Sequence, residues 1–212
     1  MKPFIVINAQ QGTPEWLQAR AGKVTGSRAA AVLMGKTTAG RRDYLQQLAT
    51  ERITGKPEEN GFINEAMIRG SEMEPLARIA VEQKHGIVIR ETGFCQSLSL
   101  PIGTSLDGDI DDFECIFETK SPKSTTHTGY LLAGVLPKQY EAQVMHSLLV
   151  TGAKRYLFAS YDDRMPEGLH LFTVEGKAED LPMDEYRKAL HQFLTELNDL
   201  EAQLLEIQKR NI

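Results

Sequence analysis

The stretch ECIFETK, residues 114–120, alternates like a strand but sets a carboxylate and an ammonium where a strand of this pattern keeps apolar side chains. With a period of two, Cys115, Phe117 and Thr119 face one way and Ile116, Glu118 and Lys120 the other. Such a segment is either an edge strand with a solvated polar face or a built polar site. Three features favour the site. Asp107 precedes Glu118 in a glycine-flanked turn, GTSLDGD, so a hairpin brings two carboxylates together. Glu118 and Lys120 share a face if the strand is regular. Glu74, on a preceding predicted helix, is available as a third oxygen donor.

Five acids fall within the eight positions from Asp107 to Glu114. Clustered carboxylates repel one another and raise each other's pKa unless a positive charge lies among them. Mg²⁺, for which Mn²⁺ substitutes, suits one to three carboxylates because it prefers oxygen, keeps several waters and completes its shell with substrate phosphate. The residues therefore point to a phosphate-ester site. In that site Lys120 is no metal ligand while protonated; it orients the attacking water and offsets charge growing on the scissile phosphate. Gln143, in YEAQVMHSLLV, is a further candidate for the water or a phosphate oxygen, against the plainer reading of a helix-surface amide.

Net charge is −5, which by itself argues against a polyanionic partner. Its distribution argues otherwise: residues 1–56 hold nine Lys/Arg against three Asp/Glu, and residues 57–212 hold fifteen against twenty-six. The basic lobe supplies Arg20, Lys23, Arg28, Arg41 and Arg42. Arginine suits bidentate phosphate contact, and Ser27 at a helix start adds a hydroxyl and backbone N–H groups. Arg20 with Ser27 is the candidate pocket for a terminal phosphate.

The pattern predicts a short strand in PFIVI and a helix over 14–20 capped by Thr13, with Pro14 in its first turn, Gly22 as its stop and Trp16 and Arg20 stacked four apart. Further helices are expected from Ser27 to Gly35, from Arg42 to Ile53 and over 65–85. Leu45, Leu48 and Ala49 face inward on the second of these, and Met73, Leu76, Ala77 and Ala80 form the stripe of the last; 56–64 reads as a loop. Strands are expected in IVIRET, FCQSLSL, 103–106, 114–120, RYLFASY and LHLFTV, with a helix over 137–150. From Leu181 the spacing changes. Tyr186, Leu190, Phe193, Leu197, Leu200, Leu204 and Ile207 recur at intervals of four and three, the seam of a long helix expected along the sheet, or against another subunit. The fold class is α/β, a mixed β-sheet flanked by helices, in a single domain over 1–212: a basic helical lobe at 1–56, a catalytic core at 65–175 and a C-terminal helix at 181–210.

Cys95 and Cys115 are too few for a four-thiolate zinc or iron–sulfur site and read as reduced thiols. No 18-residue apolar run or signal-type leader is present, so a protein without a membrane partner is expected in the cytoplasm. GxxxxGK[ST], HExxH and GxSxG are absent, and the five histidines lack zinc-ligand spacing.

The ordered set of motifs resembles the bacteriophage lambda exonuclease family, YqaJ-like viral recombinases with a restriction-endonuclease-like core and a PD-(D/E)xK motif. The motif here reads SLDG and then ETK, and its leading proline is replaced by Leu106. QGTPEWLQARAGKVTGSR, RGSEMEP, YEAQVMHSLLVTG and FASYDDRMPEGLH look like the family's other blocks in the same order, over roughly residues 10–175. The resemblance implies a Mg²⁺-dependent 5′-to-3′ exonuclease on linear duplex DNA that releases 5′-mononucleotides and leaves 3′ single-stranded tails. It also implies a homotrimeric ring around DNA, a single-strand annealing protein as partner, and a phage or prophage origin in a bacterial host. By position Asp107 and Glu118 bind metal, Lys120 and Gln143 serve the water, Glu74 completes the acidic shell, and Arg20 and Ser27 receive the 5′-phosphate. Lys23, Arg28 and Lys123 are further DNA-contact candidates. The family's arginine just after the ExK strand is here Thr126, with Lys123 and His127 nearby. An endonuclease or repair nuclease of the same fold would cut closed circular DNA, and an inactive end-binding module would cut nothing.

Overall fold

The computed structural model describes residues 2–58 and 65–211, so most of the loop expected over 56–64 lies outside the described residues. The chain runs β1 (Phe4–Ile7), α1 (Pro14–Arg20), β2 (Val24–Thr25), a 3₁₀ turn at Gly26–Arg28, α2 (Ala29–Leu33), α3 (Ala39–Thr54) and α4 (Glu65–His85). It continues with β3 (Phe94–Ser97), β4 (Ile102–Ser105), β5 (Gly108–Ile110), β6 (Cys115–Lys120), α5 (Ser124–Ala133), α6 (Lys138–Thr151), β7 (Arg155–Tyr161), β8 (Leu171–Lys177) and α7 (Met183–Arg210).

The strands form two four-stranded sheets, β1-β3-β4-β2 and β5-β6-β7-β8. Both are mixed: β2 pairs parallel with β4 and β6 parallel with β7, and the other pairs are antiparallel. The α/β class with flanking helices and a long last helix is thus present, as two sheets where the alternation suggested one. IVIRET is not a strand. Arg90 alone pairs, exchanging both backbone bonds with Asp109 at 2.9 Å, while the Ile89 N–H is taken by the Glu82 carboxylate at 2.7 Å.

Strand β6 is buried on both faces. Cys115 and Phe117 pack with Val81, Ile89, Ile110, Leu157 and Ala159 beneath α4, while Ile116 joins the larger core with Phe158, Val144 and Leu148 from β7 and α6. On α4 the expected stripe is rotated: Ala77 and Val81 are fully buried, whereas Leu76 and Ile79 face outward.

The seam of α7 is buried at Tyr186, Leu190, Phe193 and Leu197, partly buried at Leu200 and Leu204, and exposed at Ile207. Its partners are α3, α2 and α6, not the sheet. Arg41, 5% exposed, pairs with Glu196 at 2.6 Å and stacks on Phe193. It is therefore a structural cation of the α3–α7 contact and is withdrawn from the phosphate candidates. Both cysteines are buried free thiols. Among the described residues no helix is long and apolar enough to cross a membrane.

Candidate active site

Four of the five acids in Asp107–Glu114 serve the β5–β6 turn. Asp111, Asp112 and Phe113 all adopt left-handed φ, unusual for three successive non-glycine residues. The turn is held by Asp109, which accepts from the Phe113 N–H at 3.1 Å and from Arg90 at 2.7 Å, by Lys2 on Asp112 at 2.6 Å, and by Arg155 and Lys154 facing Asp111 and Glu114. Asp107 is the acid that the following glycine directs elsewhere. A Cβ on Gly108 would lie 2.3 Å from the Ile89 side chain, so only glycine lets β5 pass there.

β5 pairs with β6 only as far as Phe117, so beyond that point the β6 backbone is free to take a side-chain partner. The Thr119 N–H donates to Asp107 Oδ2 at 2.7 Å, which fixes Asp107 beside Glu118. Glu118 is 1% exposed. Its Oε1 accepts from the Lys120 ammonium and, at 2.5 Å, from the Gln143 amide on α6. Its Oε2 is buried and accepts no hydrogen bond from any described residue. Glu74, on α4, lines the same cavity of about 330 Å³ with Gly70, Ser71, Asp107, Thr119, Lys120, Ser121, Pro122 and Tyr140. Glu74 and Asp107 also line an adjoining cavity with Gln10, Gln11 and Glu91.

Electrostatics matches this crowding. Burial raises the Glu118 carboxyl to about 8, opposed by Lys120 and reinforced by Asp107 and Glu74. Glu74 is raised to about 7 by burial and then by Asp107. Burial raises Asp107 too, against Lys120 and the Thr119 N–H. For Lys120 burial works downward, but the Glu118 and Asp107 carboxylates outweigh it and the amine is raised. The two halves of the pair are consistent: one ammonium faces several carboxylates, so it is held protonated while none of them is fully compensated. Lys120, 5.5 Å from the Tyr140 ring centre, is therefore a fixed cation and hydrogen-bond donor.

Among the described residues no group of three or more His, Cys, Asp or Glu side chains is close enough to hold an ion by itself. The donor set nevertheless fits Mg²⁺, which needs few protein oxygens and completes its shell with water and phosphate. An unpartnered buried oxygen of Glu118 beside Asp107, among carboxyls whose charge lacks compensation, is the arrangement a hard cation relieves.

The phosphate candidates gather in a second cavity of about 330 Å³, lined by Trp16, Arg20, Lys23, Thr25, Ser27, Arg28 and Tyr44 among others. Thr13 caps α1 as expected, and the Arg20 guanidinium lies 4.0 Å from the Trp16 ring centre. Arg20 Nη2 reaches Ser27 Oγ at 3.3 Å and Thr25 Oγ1 at 3.4 Å. Arg28 stacks on Tyr44 at 4.6 Å, and Lys23 donates to the Ala19 carbonyl. Burial lowers both Arg20 and Lys23, opposed in each case by the Glu51 carboxylate, which lines the same cavity. Gly26, between Thr25 and Ser27, packs tightly beneath them: a Cβ there would lie 2.8 Å from Thr104 Oγ1 and 3.5 Å from Ser147 Oγ.

Lys123 is exposed at the start of α5, and Thr126 is exposed one turn on. His127 is fully buried between Ser160 Oγ at 2.7 Å and the Leu169 carbonyl at 2.9 Å, so it is a structural histidine and takes no part at the cavity mouth. Sequence reasoning missed Arg78, one turn past Glu74, which is buried and paired with Glu91 at 2.6 Å; its i+4 spacing from Glu74 was the available signal. It also missed the Arg69–Asp162–Arg164 cluster, for which DDRMPEG, reading as an ordinary polar turn, gives no cue.

A mixed sheet that presents Asp, then Glu-x-Lys across a β-hairpin, with a helix supplying another acid, defines the PD-(D/E)xK class of restriction-endonuclease-like nucleases. The YqaJ-like viral recombinase domain matches residues 15–154, and the chain belongs to this family. No curated protein sequence matches it. Among solved structures it is similar to an alkaline exonuclease, LHK-Exo, from Laribacter hongkongensis, at 33% identity and TM-score 0.85, covering 94% of this chain and 100% of that one. The same protein in complex with dAMP matches at 32% identity over the same spans with TM-score 0.85. A phage-related exonuclease from Haemophilus somnus 129PT, 13% identical with TM-score 0.63 over 88% of this chain and 96% of that one, shares the fold.

Proposed function

We propose that this chain is a Mg²⁺-dependent 5′-to-3′ exonuclease that degrades one strand of linear duplex DNA to 5′-mononucleotides and leaves 3′ single-stranded tails for annealing. The chain is a DNA nuclease, an enzyme of the YqaJ-like family. The observation that carries the finer reading is Glu118, buried, with Lys120 and Gln143 on one oxygen and the other unpartnered beside Asp107. Support for end-directed action comes from the second cavity, where the Arg20 guanidinium and the Ser27 hydroxyl lie together and suit a terminal phosphate. The likeness to LHK-Exo, an exonuclease crystallised with the mononucleotide dAMP, supports the same product class.

In this reading Asp107 and Glu118 hold the metal and Glu74 completes the acidic shell through its side of the cavity. Bound Mg²⁺, with Mn²⁺ as substitute, supplies Lewis-acid charge and lowers the pKa of water. Lys120, kept protonated by its carboxylate neighbours, orients the attacking water and offsets charge developing on the scissile phosphate. Gln143 holds Glu118 and offers its amide to the water. Arg20 and Ser27 take the 5′-phosphate, with Arg28, Lys23 and Lys123 along the DNA path; without an arginine at Thr126, preference for phosphorylated ends rests on Arg20. We further propose one nuclease domain over the whole chain, assembly as a homotrimeric ring, and a single-strand annealing protein as partner.

Linear duplexes labelled at either 5′ or 3′ end, with and without 5′-phosphate, test the reading. It requires Mg²⁺-dependent release of 5′-mononucleotides from the 5′-ended strand. Cutting of closed circular DNA, or equal loss of both strands, refutes it.

A further inference from the structure

The chain past Lys120 leaves its sheet. The parallel ladder of β6 and β7 ends at Lys120 opposite Ser160, and Ser121 and Pro122 then form one wall of the catalytic cavity. Gly70 and Ser71, at the other side, belong to α4. What joins the two walls is a cluster in the turn after β7. Asp162 is 0% exposed, and its own N–H donates to the His170 carbonyl at 2.9 Å, so it is a fixed point. Arg164 donates from Nε and from its backbone N–H to Asp162 Oδ1, at 2.6 and 3.2 Å, and from Nη2 to the Pro122 carbonyl at 2.8 Å. Arg69, one residue before Gly70, donates from Nη2 to Asp162 Oδ1 at 3.2 Å and to Asp163 Oδ1 at 2.5 Å.

Two cations on one buried carboxylate would be a costly way to hold a surface turn. Here each cation has a second attachment that leads to the cavity: Arg164 to the loop that follows the catalytic strand, Arg69 to the helix that carries Glu74. Burial pushes Asp162 up, but hydrogen bonds from Arg164 and others outweigh it and hold the acid at about 2, so the bridge stays charged across the working pH range. The two arginines, paired with Asp162 and Asp163, contribute no net charge for DNA to use.

We propose that Asp162 and Arg164 are positioning residues: they bridge α4 to the loop after β6, and so set the width of the catalytic cavity and the placement of the Lys120 ammonium. This rests on the proposed exonuclease reading, in which Lys120 serves the water and the scissile phosphate. A guanidinium is required because its planar fork reaches Asp162 and Pro122 together, which a single ammonium does not.

The test is single-turnover digestion of a 5′-phosphorylated linear duplex at saturating Mg²⁺ by Arg164→Ala, Arg164→Lys and wild type. End affinity is measured separately by fluorescence anisotropy in Ca²⁺, and thermal midpoints are recorded for each variant. A sub-ångström misplacement predicts a cleavage rate lower by roughly 10- to 100-fold in both variants, with DNA-end affinity within about twofold of wild type. Arg69→Ala loosens the other arm and slows cleavage in the same sense. If Arg164→Ala does not fold, Arg164→Lys carries the test. Wild-type rates in Arg164→Lys, rate loss matched by lost DNA affinity, or a lowered midpoint with an unchanged rate each overturn the proposal. Failure of the wild-type protein itself to release mononucleotides would sink the exonuclease reading, a separate result.

Discussion

Titrating Mg²⁺ into the protein at pH 7 and again at pH 9 probes the carboxylate cluster without touching a residue. Glu118, at about 8, and Glu74, at about 7, are both raised mainly by burial, and Asp107 is raised in the same direction. Metal binds the ionised forms, so protons compete with it. From the two glutamates alone about one molecule in twenty has both groups ionised at pH 7, against about nine in ten at pH 9. The apparent dissociation constant should therefore fall at least roughly 20-fold over that interval, with at least about 1.4 protons released per ion at pH 7. Calorimetry in two buffers of different ionisation enthalpy reads both quantities. Glu118→Gln should remove most of the pH dependence. Equal affinity at the two pH values, or proton uptake on binding, would refute the reasoning that places the ion at these carboxyls.

Stability should respond in opposite senses to two buried groups. Glu118 is raised, so its contribution to metal-free stability is fully present below its ordinary value near 4.5 and is lost as pH rises through about 8. The metal-free melting midpoint should fall across that window, and Mg²⁺ should restore it. His146, fully buried with its ring bonded to Tyr186 and the Gly103 carbonyl, is lowered by burial to about 4 from 6.5. Its contribution is present above 6.5 and is lost as pH falls through 4, worth about 3 kcal/mol, so denaturant melts of His146→Gln should lose that part of the acid dependence. On α7, Leu190→Ala and Phe193→Ala should cost about 2–5 kcal/mol in urea melts, and Ile207→Ala within about 0.5 kcal/mol. Arg20→Ala should raise KM for 5′-phosphorylated ends toward that for 5′-hydroxyl ends and leave kcat little changed; an unchanged ratio would exclude the Arg20–Ser27 pocket as the end-phosphate site.

Much of the site could be read from the chain because its signals are local. A period of two puts Glu118 and Lys120 on one face, and a cap, a proline and i+4 spacing fix Trp16 under Arg20. What escaped notice depends on distant partners. The α4 stripe keeps Ala77 but turns toward Val81, because apolar residues lie on two of the helix's faces and only packing against the cluster around Phe117 selects Val81. The division into two sheets falls between β4 and β5, neighbours in sequence that belong to different sheets, and the two-residue parallel pairing of β2 with β4 is too short to leave a pattern. The acids at 109, 111 and 112 stand in the same run as Asp107, and what sets them apart is their partners, Lys2, Arg90 and Arg155, of which Lys2 and Arg155 lie far from them in sequence. Asp162 gives no sign of itself, because nothing in a DDR turn announces a buried carboxylate.

Digestion by Asp107→Ala and Glu118→Ala, assayed on a linear duplex labelled at one 5′ end with Mg²⁺ present, puts the central claim to its most direct trial. Both variants should retain folding and DNA-end binding while mononucleotide release falls to background. Undiminished release from either protein would contradict the assignment of these two carboxylates to the catalytic metal.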